Sequence, residues 1–384
     1  MRRGVVAVLG TLLLVLIVLM TVLVVNWCYF VSVNRGMEHV SSIMALAAAP
    51  ELLDQNLLLD AAGPPVANQA AGRASALVVA DQYRQQNNAL LPASQRIDAG
   101  DVAVQTGFVA DVTAGSLTLD PAPAEHNSVY VTCDRAPGGS HPVTFPIDLR
   151  GTVGAVDIHS GACATLDNLL VGFRPEPDLP AQVLPVAVQD TAWATERTTD
   201  SNGNGILEMV LRWQAVTPPS DAPQLPAAPN AALLFFGGAA GEQALAQVLP
   251  QQVAQGLFIS DLPAAGQLGP ATPAAAFPVL ATQQADDSDA GTWAIQAALS
   301  RIVGQKRVLP VFSAVGTAGP DGTALAQLNG FVACVILGAA IVDHRLAVRV
   351  EPCYLIQPTA WTVGPNDASG PQRNLYVYKL RLAR

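Results

Sequence analysis

GVVAVLGTLLLVLIVLMTVLVV, residues 4–25, carries no charged side chain, and Thr11 and Thr21 are its only polar side chains. As a helix rising about 1.5 Å per residue it reaches roughly 33 Å, the thickness of a bilayer's hydrocarbon core. Trp27 and Tyr29 follow at once, where aromatic side chains gather at a membrane surface. Arg2 and Arg3 precede the run, so the positive-inside rule keeps the N-terminus in the cytoplasm and exports everything after Val25. A cleaved signal peptide would have an apolar core of only about 7–15 residues and a small-x-small site soon after it. Here the nearest such site, Ala45-Leu46-Ala47, lies about 20 residues beyond the apolar run, too far for that processing. The stretch therefore predicts a retained single-pass anchor, with residues 1–3 a cytoplasmic stub and 4–26 a transmembrane helix in the lipid bilayer.

The helical pattern continues past the anchor. Val33, Met37, Val40, Met44 and Ala47 recur at three- and four-residue steps, with Arg35, Glu38, His39 and Ser42 on the other side. That spacing predicts an amphipathic extension over 27–50, ending near Pro50. Its apolar stripe suits either the protein's own domain or a partner helix.

The 384 residues leave room for two domains, or for one large β-rich domain plus an anchor. The hydrophobic share is 51%, yet aromatic residues make up 5% and charged residues 13%, about half the charge of an average soluble domain. Much of the apolar share is alanine, so the composition does not call for further spans. A net charge of −10, with no concentration of Lys or Arg, excludes a nucleic-acid partner, since phosphate binding requires a basic face.

Arg2-Arg3-Gly4-Val5-Val6-Ala7-Val8, the apolar helix, Tyr29 near its outer end and the alanine-rich Val40–Ala49 segment together form a pattern. It resembles the N-terminus of the TadE/TadG-like proteins of bacterial Flp (tight adherence) pilus systems. A weaker similarity to long TadG-like proteins covers Asn127–Thr132, Val183–Ala187 and the closing Tyr378–Arg384. The resemblance implies an inner-membrane location, a mostly β extracytoplasmic part and other envelope or pilus-assembly proteins as partners. Two features of related proteins are missing. Asp286-Asp287-Ser288-Asp289 lacks the spacing of a von Willebrand factor A metal site, and Leu9 stands five residues after Gly4, where prepilin-peptidase substrates carry glutamate.

Beyond the anchor, a helix is predicted over 71–87 and short strands over 102–111, 116–119, 128–133, 143–149 and 152–158, with glycine turns between them. A Pro/Ala-rich run at 217–230 reads as a linker or long loop. It divides a helical lead-in and β-rich domain (51–216) from a mixed segment (231–384). The latter holds helices over 241–255, kinked at Pro250, and 292–304, then strands from Val308 onward. The fold class expected is α+β, with a mainly β exported part, sandwich or barrel-like, behind one long transmembrane helix.

Cys133, Cys163, Cys334 and Cys353 fall in the exported part, where disulfides persist. A hairpin centred on Asp343-His344 places Cys334 opposite Cys353, within bridging range. Leu346, Val348 and Val350 then share a face with Val335, Leu337 and Ile341. Cys334–Cys353 is the expected pair, which leaves Cys133–Cys163; the alternative is four reduced, buried thiols.

Asp200-Ser-Asn202-Gly-Asn204-Gly205 reproduces the start of a calcium loop, oxygen side chains at positions 1, 3 and 5 before glycine at 6. Glu208 supplies a carboxylate at position 9, and Asp190 and Glu196 are nearby in sequence; position 12 is Leu211. The same string also reads as an Asn-Gly turn between strands, so a structural calcium and a plain turn both remain open, and no other cofactor is expected. The five histidines are dispersed, and no nucleophile elbow or phosphate loop is present. A non-catalytic, membrane-anchored structural or assembly component is therefore the leading expectation. A membrane-tethered hydrolase with a site assembled by folding, or an anchored adhesin, is the alternative.

Overall fold

A computed structural model of the chain describes residues 2–53, 58, 69–91, 96–113, 118–123, 125–136, 143–147, 155–213, 230–236, 247–262, 266–269, 276–280, 290–317, 324–342, 345–367 and 372–383. Helices α1 (Arg2–Ala48) and α2 (Gln69–Leu90) come first. Strands β1 (Val102–Gly107), β2 (Ser128–Arg135), β3 (Val143–Thr144), β4 (Ala155–Val156), β5 (Ile158–Asp167), β6 (Leu169–Phe173) and β7 (Val186–Gln189) follow, then α3 (Asp190–Thr195) and β8 (Met209–Arg212). After these come β9 (Ala231–Leu234), α4 (Leu249–Gln255), β10 (Ala276–Leu280), α5 (Ala290–Arg301), β11 (Lys306–Thr317), β12 (Ala324–Val342) and β13 (Arg345–Pro352). The series closes with β14 (Leu355–Ile356), β15 (Ala360–Thr362), β16 (Gln372–Arg373) and β17 (Val377–Ala383). The α+β class, with one long apolar helix ahead of a mostly β region, is what the sequence predicts.

The expected anchor and its extension are a single helix. Val8 to Val25 stand away from the body, long and apolar enough to cross a membrane. From Val33 the helix lies on the sheet β1-β2-β5-β17-β14. Val33, Met37, Val40, Met44, Ala45 and Ala48 pack on Val129, Val131 and Cys133 of β2 and on Ala162, Ala164 and Leu166 of β5. Alanines on both surfaces bring helix and sheet close, so the alanine-rich segment folds against its own domain. Two details differ from the expected stripe. Ala48, not Ala47, completes it, and Ser41 and Ser42 are buried. Both hydroxyls donate to the carbonyl of Glu38, which satisfies them inside the helix.

Helix α2 packs across the foot of α1 through Gly72, Ala76 and Ala80, one small residue per turn. A Cβ on Gly72 would lie 2.7 Å from the carbonyl oxygen of Glu51, so this crossing requires glycine.

A second sheet runs β10-β9-β7-β11-β12-β13-β8. Strand β10 pairs both with β9 and with β12, which rolls β7, β9, β10, β12 and β11 into a closed ring. Register shifts at Val311/Phe312 and Phe312/Ala314 give the long β11–β12 ribbon the bend that closure needs. One face of this sheet is covered by α3, α4 and α5, whose Trp193, Leu249, Val253, Ile295 and Leu299 meet Leu309, Val332 and Ile336. On the other side Phe173, Leu234, Phe312, Leu328 and Phe331 form a separate core with the small sheet β15-β6-β16.

The run at 217–230, which lies outside the described residues apart from Asn230, does not separate two β domains. Strands β7 and β8 precede it and β9 to β13 follow it, all in one sheet, while β17 returns to the sheet that carries α1. Pro250 occupies the first turn of α4, directly after a π-helical pair at 247–248; the upstream part of the expected helix, 241–246, lies outside the described residues.

Candidate functional site

The loop that follows α3 folds around Asp200. Its Oδ1 accepts the backbone N–H of Gly203 at 2.7 Å and of Asn204 at 3.2 Å, and Oδ2 accepts that of Gly205 at 2.9 Å. The side-chain oxygens of Asn202 and Asn204 each accept an amide two residues on. Their amide nitrogens point to one acceptor from β13: Asn202 donates to Glu351 at 2.7 Å and Asn204 at 3.0 Å. Glu208, 1% exposed, uses one carboxylate oxygen to accept from the N–H and hydroxyl of Ser201, and the other lies 3.6 Å from Arg349 Nε.

The four residues expected to hold calcium thus occupy one turn but do not pool their oxygens. Calcium takes six to eight of them, whereas here the asparagines turn nitrogen, not oxygen, toward the nearest carboxylate. Asp190 and Glu196 are engaged elsewhere, with Thr191 and Asn329 and with Arg212 and Asn230 respectively. Among the described residues, no three His, Cys, Asp or Glu side chains form a group able to hold a metal ion. As folded, the loop is a self-satisfied turn sewn to β13 by Glu351.

The cysteine expectation is corrected. All five cysteines are free. From Val342/Arg345 to Gly338/Arg349 the β12–β13 hairpin has the anticipated register. A bulge between Ile336 and Gly338 then shifts it by one residue, so Cys334 faces Pro352. Cys334 consequently joins the core under α5, on the same face as Leu346, Val348 and Val350, while Cys353 joins the core on the opposite face. Cys133 aligns with Ser160 and Cys163 with Tyr130, three rungs apart on β2 and β5, so that pair is not bridged either. Burial raises all four thiol pKa values, those of Cys133 and Cys353 to about 12.

A groove of about 480 Å3 opens where the end of α1, the loop before β2 and the sheet β15-β6-β16 converge. Leu52, Leu53, Phe108, Leu166 and Leu375 form its apolar wall, and Tyr378, whose pKa is pushed up to about 12 chiefly by burial, sits within it. Two of its acids are paired, while Arg197 donates to the carbonyl of Trp193 and lies over that ring. Arg373 meets Glu125 at 3.3 Å, and Arg381 donates to Asp167 at 2.9 Å.

His126 lines the same groove and is buried. Its Nδ1 lies 2.8 Å from Thr106 Oγ1, and its Nε2 lies 3.4 Å from Arg73 Nη1. Arginine can only donate, so Nε2 accepts and Nδ1 carries the proton. Burial, then the Arg73 charge, lowers the imidazole pKa. His159 pairs with Asp134, and His39 is exposed; His141 and His344 lie outside the described residues, as does Gly139-Ser140-His141. The groove therefore offers an apolar wall with its acids paired, chemistry suited to binding. Sequence reasoning missed His126, Glu351 and Asp167, because each acquires its role from partners more than fifty residues away.

Comparison with protein-family models, curated proteins and solved structures returned no match for the chain.

Proposed function

We propose that the chain is a non-catalytic, membrane-anchored structural or assembly component of a bacterial envelope system of the Flp/Tad pilus kind. In this reading the N-terminus stays in the cytoplasm, α1 crosses the inner membrane, and the β-rich body stands outside the cytoplasm to meet other envelope proteins. The observation that carries it is the two-part character of α1. One continuous helix has a bare apolar half and a second half built into the body's core. Such a helix transmits position rigidly from bilayer to body, which suits a scaffold. The N-terminal resemblance to TadE/TadG-like proteins supplies the system.

The test is capture of the full-length tagged protein from native membranes in mild detergent, followed by identification of what accompanies it. Recovery with a secretion ATPase or Flp-type pilins is the expected result. Recovery of the protein alone, or its release from membranes by alkaline carbonate, would overturn the proposal.

A further inference from the structure

We infer that the loop Phe145-Pro146-Ile147 is a second membrane contact, seated among the lipid headgroups beside the anchor. This rests on the reading that α1 crosses a bilayer. Asn26, the first residue after the apolar run, grips the loop from both sides: its Nδ2 donates to the carbonyl of Ile147 at 3.0 Å, and the N–H of Ile147 donates to its Oδ1 at 3.3 Å. The loop is thereby held at the level where the hydrocarbon core ends. Its strand neighbours β3 and β4 form their own small sheet, and buried Val143 ties β3 to the core under α1 while Phe145 and Pro146 stay outside it.

Three properties suit this loop to lipid. Phe145 is 36% exposed and Pro146 is exposed, and Trp27, the residue after Asn26 on the helix, is 63% exposed. Aromatic rings at this depth are favoured by the mixed polarity of the interface. The N–H and C=O of Ile147 are already satisfied by Asn26, so approach to lipid strands neither group. Proline at 146 has no N–H to leave unpaired.

The test uses Cys28→Ser as background, because the other four cysteines are buried. Single cysteines replace Phe145, Pro146, Leu16 or Ala71 in the full chain, each carrying a nitroxide label, in liposomes of phosphatidylcholine and phosphatidylglycerol. Ala71, exposed beside Gly72 at the far end of α1, lies roughly 33 Å along the helix from Asn26 and serves as the aqueous reference. Collision rates with oxygen, which concentrates in lipid, and with a water-soluble nickel chelate report depth. The expected oxygen-to-nickel ratio is highest at Leu16 and several-fold above the Ala71 value at both Phe145 and Pro146. Ratios at 145 and 146 equal to that at Ala71, with Leu16 deep, would overturn the loop contact and leave the anchor intact. Shielding from both reagents would mark a protein contact and also overturn it. A water-exposed Leu16 would overturn the loop contact and the anchor together. Should Phe145→Cys fail to fold, Pro146→Cys carries the same decision.

Discussion

Met44 and Met20 sit on one helix and answer to different surroundings. Met44 is 0% exposed, packed between α1 and the sheet, whereas Met20 is 56% exposed in the apolar half. Truncating a buried methionine to alanine removes its transfer energy and leaves a cavity, a combined loss of about 2–5 kcal/mol. Ala162 and Ala164 of β5 share this core, short side chains that cannot swing in to fill the gap, so the middle of that range, about 3 kcal/mol, applies to Met44→Ala. For a body of this size each kcal/mol moves the midpoint roughly 2–4 °C, so the expected fall is roughly 6–12 °C. Met20→Ala touches nothing in the body and should change its stability by less than about 0.5 kcal/mol. The assay is thermal unfolding of each full-length variant in detergent micelles, followed by near-ultraviolet circular dichroism of the body's tryptophans. Equal midpoints for the two variants, or a fall below about 2 °C for Met44→Ala, would refute the claim that the second half of α1 is part of the body's core.

Three further outcomes are expected. Because burial and Arg73 depress the His126 pKa, the unfolded chain binds the proton more readily; the stability due to the neutral ring is full above about pH 6.5 and declines as pH falls below it. His126→Gln, which retains a hydrogen-bonding group without the titration, should flatten the decline in melting temperature between pH 7.5 and 5.5, and parallel curves would refute the neutral-histidine joint. With Cys133 and Cys353 thiols pushed to about 12 and Cys163 and Cys334 raised by burial, a thiol reagent at pH 8 should modify Cys28 alone in the folded protein and all five after denaturation. Mass spectrometry showing a Cys334–Cys353 bridge in protein from native membranes would contradict this. Asp167→Ala leaves Arg381, which also donates to Thr362, without its carboxylate; a loss of about 2–4 kcal/mol in urea unfolding is expected, with partial recovery in the Asp167→Ala/Arg381→Met double variant.

What could be read directly from the sequence was local and periodic. The apolar run at 4–25 and the Val33–Met37–Val40–Met44 spacing depend only on helix geometry, and both appear in the fold. The Asp343-His344 hairpin was legible down to Gly338, since alternation fixes register as long as the ladder is regular. Leu337 breaks it. The one sequence signal of this bulge is Gly338, a lone glycine inside a strand pattern, next to the residue that slips out of register. The turn at Asp200 was legible as a turn or a calcium loop, but its partner Glu351 arrives from another strand and settles which side-chain atoms face inward. The linker at 217–230 was read from composition alone, and composition says nothing about which sheet the flanking strands join.

Strand β17 holds an interior place, between β5 and β14, in the sheet on which α1 lies. More than two hundred residues separate β5 from β17. During synthesis α1 is therefore complete long before the surface that cradles its second half. Until β17 is made, β5 presents an unpaired edge and the alanine stripe of α1 has only part of its seat, the condition in which edge-to-edge association competes with folding. The sheet that seats α1 is thus finished only with the chain's last strand, and the β5 edge is the place where association with another strand would intercept folding.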